Sequence, residues 1–300
     1  MAAPFLVTLL ATAVPGQPRA GTSTEGGPPL PALRELAPGV RIDWSNAVVE
    51  LDAKVVLREG TLELLACSPQ TREHESILVV SARPVNVFQA LGLIGLEPGS
   101  PARYDEERER WFEPTGEALE VRVRYANAGE ERIVPAERWL RQVDGDRPVD
   151  KLPWVFAGSR KTSAGRFGAD ADGTVICVVD FDSALITVGS LHSADNDQLW
   201  LRANAKEIPP IGTACTLLVR SAHRPTVELD LVDEHTVRYK DQSLSAEQLA
   251  KMLRPPPDDA RPGRLYIHPA ATVSDEAAKA FAERVIKSGF EGVVETKRRP

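Results

Sequence analysis

The stretch "ALEVRVRYA", residues 118–126, alternates apolar and charged side chains with a period of two. Successive side chains of a strand point to opposite faces, so this pattern describes a strand with one face in a core and the other in water. Five further segments share its length and character: "AVVELDAKVVL" (47–57), "GTLELLAC" (60–67), "SILVVSA" (76–82), "TVICVVDF" (174–181) and "TACTLLVRS" (213–221). Together they predict a β-rich domain over 41–222. One helix interrupts it. In "RPVNVFQALGLIGLEPG" (83–99), Pro84 suits a first helical turn, Val87, Phe88, Leu91 and Ile94 line one side, and Gly95 can cap the C-terminal end.

After Arg224-Pro225 the pattern changes. Residues 225–298 alternate strand-like runs with two helical segments, one opened by Ser245 and Gln248 as a capping box, the other capped by Ser274 with Asp275 and Glu276 behind it. The expected fold class is therefore α+β: a β-rich N-terminal domain with one packed helix, then a small two-helix α+β domain.

The N-terminus reads differently again. An apolar run from Pro4 to Val14, followed by small and turn-forming residues, has the form of an export signal over 1–20 and is too short to span a bilayer. Residues 21–40 are rich in Pro, Gly, Ser and Thr and read as a disordered linker. The expected location is periplasmic or otherwise extracytoplasmic, with no integral membrane span. A net charge of -7 spread along 300 residues excludes nucleic acid as a main partner, because phosphate binding needs a clustered basic face.

Cys67, Cys177 and Cys215 lie too far apart for paired-cysteine metal motifs, and no cofactor is expected. The chemistry-bearing residues gather instead in "ACSPQTREHESILVV" (66–80). With a tight turn centred on Gln70 and Thr71, Cys67 would face His74 across a hairpin, near enough for thiol and imidazole to meet. Such a pair fits a polar hairpin tip, a ligand-binding surface, a weak metal site with Glu63 or Glu75 adding an oxygen, or a thiol nucleophile. The candidate set is Glu63, Cys67, His74, Glu75 and Ser76, joined by Trp154 and Ser159 of "WVFAGS" (154–159). Gly158-Ser159 lacks the second flanking glycine of a nucleophile elbow. Asp170 and Asp172 stand at calcium-loop spacing without the later ligands.

Taken in order, "EGTLELLAC", "REHESILVV", "ALGLIGLEPGSP", "WVFAGS" and "ADADGTVICVVD" resemble the YdjY-type domain of bacterial envelope proteins, over about residues 45–220. Residues 225–297, through "VRYKDQSLSAEQLAKML" and "RLYIHPAATVSDEAAKAFAERVIKSGFEGVVETK", resemble the periplasmic domain of the ExbD/TolR family. Those transporters carry a membrane helix with an acidic residue before this domain, and nothing similar precedes Val227. The resemblance thus implies binding more than force transmission. The functional expectation is an exported envelope protein that binds or scaffolds an envelope protein or cell-wall component. A metal-dependent or thiol enzyme centred on Cys67 and His74 is the alternative.

Overall fold

The computed structural model describes residues 33–239, 242–255, 259 and 261–299. Its N-terminal part is built from β1 (Leu33–Ala37), β2 (Val40–Asp43), β3 (Val48–Val55), β4 (Leu64–Cys67), β5 (Ser76–Val80), α1 (Pro84–Leu93), β6 (Ala118–Asn127), β7 (Trp154–Phe156), α2 (Gly168–Asp172), β8 (Thr174–Cys177), β9 (Ile186–Val188) and β10 (Ala214–Ser221). Hydrogen bonds run from β3 through β10, β6, β7, β9, β8, β4 and β5, and β5 pairs back onto β3. Eight strands thereby close into a barrel. Closure leaves none of the eight with an unpaired edge along this ring, the outcome that alternating strands reach when both sheet ends can meet.

The alternation in 118–126 explains the interior. Leu119, Val121, Val123 and Tyr125 are buried, while the charged residues between them face outward. Directly opposed residues share a face, so Val121 against Val219 and Val219 against Val49 continue one apolar layer around three strands. Outside, Arg124 holds Glu50 with two hydrogen bonds, at 3.0 and 2.7 Å.

α1 starts at Pro84 and buries Val87, Ala90 and Leu91 against this core. Phe88 meets the rings of Phe156 and Phe167, with centroids 5.4 and 5.5 Å apart. Gly95 follows the helix at φ 88°, and its N–H donates to Gly92 O at 3.0 Å.

The C-terminal part forms a separate five-stranded sheet from β11 (Thr226–Leu231), β12 (Thr236–Tyr239), β13 (Gln242–Ser245), β14 (Gly263–Pro269) and β15 (Gly292–Thr296), ordered β13-β12-β11-β14-β15. α3 (Ala246–Met252) and α4 (Asp275–Lys287) supply Leu249, Phe281 and Val285 to its core, opposite Leu229, Leu231, Leu265 and Ile267. The caps read from the sequence are formed. Ser245 Oγ accepts from Gln248 N–H, Gln248 Oε1 accepts from Ser245 N–H, and Ser274 Oγ accepts from Ala277 N–H.

Two expectations need correction. The α+β class does not hold, because the organising element is the closed barrel and strand outweighs helix by 41% to 17%, with four short helices among the described residues. Barrel closure depends on which strand ends meet, a long-range fact that strand periodicity does not carry. The linker expected over 21–40 overlaps β1, which pairs antiparallel with β2, so residues 33–37 are strand. The export signal and the rest of that linker lie outside the described residues. Among the described residues no helix is long and apolar enough to cross a membrane.

Candidate functional site

Cys67 and His74 are not partners across a hairpin. β4 and β5 run parallel, with Cys67 opposite Val79, and residues 68–75 carry the chain back between them through a short 3-10 turn at Glu73–Glu75. This return loop is locally pinned. Ser68 N–H donates to Gly173 O at 2.9 Å, Thr71 Oγ1 donates to Ser68 O at 2.6 Å, and Gln70, at φ 61°, donates its N–H to Glu73 Oε1 at 2.8 Å.

The loop delivers a charged cluster to the mouth of an open polar cleft of about 780 Å³. Arg72 Nη1 lies 2.5 Å from Glu63 Oε2 and 3.8 Å from Glu75 Oε2, and its guanidinium sits 4.5 Å above the ring of Phe181. Glu63 is 7% exposed, yet it is not held as a simple ion pair. Burial, together with a hydrogen bond to the neighbouring Glu75 carboxyl, pushes it up to about 6, against the opposing pull of Arg72. His74 lies on the outer side, largely exposed, with Nε2 3.7 Å from Glu75 Oε2. Asp172, Asp195 and the side-chain amides of Gln70 and Asn196 continue the lining.

Cys67 and Ser76 are behind this cluster, both with no exposed surface. Cys67 packs with Leu64, Cys177 and Ala184, and burial pushes its thiol up although the nearby hydroxyls of Ser76 and Thr71 pull the other way. A thiol so placed is a small apolar side chain, whereas a nucleophile or metal ligand needs accessible thiolate. Among the described residues no three His, Cys, Asp or Glu side chains are arranged to hold a metal ion.

Trp154 and Ser159 are elsewhere. Trp154 is buried and donates its indole N–H to Glu137 Oε1 at 2.9 Å, the same oxygen that accepts Leu152 N–H at 3.2 Å. Ser159, at φ 64°, accepts the N–H of Ala169 at 2.9 Å and so fixes the start of α2. Asp170 is engaged by Arg83 and accepts Val85 N–H at 2.8 Å, tying α2 to the first turn of α1. The structure thus gathers Glu63, His74 and Glu75 and leaves Trp154 and Ser159 in structural roles.

Sequence reasoning missed Arg72, the residue that organises the cluster. Its signal was present as a lone cation between Gln70-Thr71 and the run Glu73-His74-Glu75. Asp180 was missed as well. Burial raises it to about 6, and its Oδ2 accepts the backbone N–H of His192 at 2.8 Å. The His192 ring stacks on Trp200 at 3.6 Å, and its Nε2 lies 3.0 Å from Ser190 Oγ.

The family model of the YdjY domain matches residues 40–220, which is the barrel with its return loop and cleft. The chain belongs to the YdjY family. No curated protein and no solved structure matches it. The YdjY match ends where β10 ends, and the ExbD/TolR resemblance of residues 225–297 has no counterpart among the matches.

Proposed function

We propose that this YdjY protein is an exported binding protein of the cell envelope and that the cleft beside Glu63, Arg72 and Glu75 is its ligand site. One observation carries the reading: a carboxyl pair and an arginine, pinned by a tightly bonded loop, stand at the mouth of an open cleft lined by further carboxylates and amides. Arg72 is already engaged by Glu63, so carboxylates outnumber free cations in the lining, with Glu75, Asp172 and Asp195 beside the amides of Gln70 and Asn196. Such a surface suits an amine- and hydroxyl-bearing cell-wall component or the basic side chains of an envelope protein. The apolar run Pro4–Val14 supports export. Nothing in the geometry favours the thiol or metal enzyme, since Cys67 is enclosed while His74 is largely exposed beside Glu75.

The test combines cell fractionation with co-sedimentation on isolated cell wall and cross-linking in intact envelopes. The wild type is expected outside the cytoplasm and bound to wall or to a partner protein, with binding lost in Glu75→Lys. Cytosolic protein, or binding indifferent to Glu75→Lys, contradicts the proposal.

A further inference from the structure

A second cavity, of about 440 Å³, lies between the C-terminal end of α1, the adjoining ends of β6 and β10, and the β11–β14 region of the C-terminal sheet. Its size falls within the usual range of small-molecule sites, which occur preferentially where two structural parts meet. The C-terminal side of the cavity is the helix-free face of the sheet. Leu265 and Ile267 of β14 turn into the core with α3 and α4, so the alternating Arg264 and Tyr266 face the cavity.

Two side-chain nitrogens of the lining have no partner among the described residues. His223 Nδ1 and Arg264 Nε are buried without a hydrogen-bond partner, and both belong to residues lining this cavity. Arg264 has five N–H donors, and Glu117 Oε1 takes one of them at 3.3 Å. Arg224 adds a guanidinium that donates to carbonyl oxygens, of Leu253 at 2.7 Å and Arg261 at 3.0 Å, and among the described residues no carboxylate pairs with it. Three arginines, Arg224, Arg261 and Arg264, thus outnumber the two carboxylates of the lining, Glu97 and Glu117, while Ile94, Leu96 and Pro225 supply apolar surface. Buried polar groups left unpaired favour a ligand that brings acceptors to them.

We propose that this cavity binds a small carboxylate, its oxygens taken by Arg264 and His223 and its apolar body set against Ile94, Leu96 and Pro225. A planar carboxylate matches the fork of a guanidinium, and the apolar wall discriminates against a bare ion. The site is separate from the Glu63 cleft, so each stands or falls by itself.

Calorimetric titration of the full chain with sodium benzoate, acetate and phosphate tests it. Benzoate is expected to bind saturably, about tenfold more tightly than acetate or phosphate. Benzoate binding should be lost in Arg264→Gln and in His223→Phe, and the His223 imidazole resonances should move during the titration. His223→Phe leaves the Arg264–Glu117 contact in place and keeps the test valid if Arg264→Gln fails to fold. Absence of saturable benzoate binding, equal binding of all three anions, or binding unchanged in folded His223→Phe overturns the proposal.

Discussion

At the scale of single residues, Glu63 shows how position alone changes a carboxyl's chemistry. The same side chain in solvent would ionise near its ordinary 4.5, but here enclosure and the adjacent Glu75 raise it to about 6. Between those two values the folded protein holds a proton that the unfolded chain has released. Stability therefore falls as pH rises through that window, and the contribution is fully present below about 4.5. Asp180, raised by burial to about 6 from 3.8, acts in the same direction. Comparing the wild type with Glu63→Gln isolates the first effect. Denaturant unfolding across pH 4–7 should show the wild type losing on the order of 1–2 kcal/mol more than the variant as pH rises. Parallel curves for the two proteins would mean that enclosure does not raise Glu63.

Among the elements, the return loop 68–75 decides whether that pair exists. It rests on Gly173, which follows α2 at φ 75°, and a Cβ there would meet Thr71 Oγ1 at 2.3 Å. Gly173→Ala forces a left-handed backbone on a residue that avoids it and pushes the Thr71 side chain aside. A cost of about 1–3 kcal/mol is expected, with faster hydrogen exchange confined at first to 68–75. Unchanged exchange in that loop would show that the contact with Gly173 does not hold it. The loop also marks where the sequence stopped being informative. Alternation located β3, β6 and β10, and capping residues located α1, α3 and α4, because these signals are local. β4 is buried at every position and β5 at all but one, so neither alternates, and an apolar run is the same whether its neighbour is parallel or antiparallel. Reading 66–80 as a hairpin paired Cys67 with His74. The parallel return instead put Cys67 in the core and brought Arg72 to Glu63, a contact across nine positions that no spacing rule announces.

For the whole molecule, the distribution of apolar residues sets how it should unfold. The barrel core and the core beneath the C-terminal sheet have no residue in common. Among the described residues, polar contacts join them: Arg264 to Glu117 at 3.3 Å, Arg220 to Asp259 at 3.9 Å, and Arg261 donating to Ser221 O and His223 O at 3.2 and 3.3 Å. Partly exposed ion pairs contribute little coupling, on the order of 1 kcal/mol or less each, whereas each core has several fully buried Leu, Ile, Val or Phe side chains. Cooperativity within each part should then exceed cooperativity between them. Scanning calorimetry of the full chain is expected to resolve two transitions. Leu265→Ala, which opens a cavity under the C-terminal sheet, should lower one of them at a cost of about 2–5 kcal/mol and leave the other in place. Leu51→Ala in the barrel should do the reverse. A single transition that moves with both substitutions would show instead that the polar junction couples the two cores into one cooperative unit, and the cavity between them would then be a fixed part of the fold.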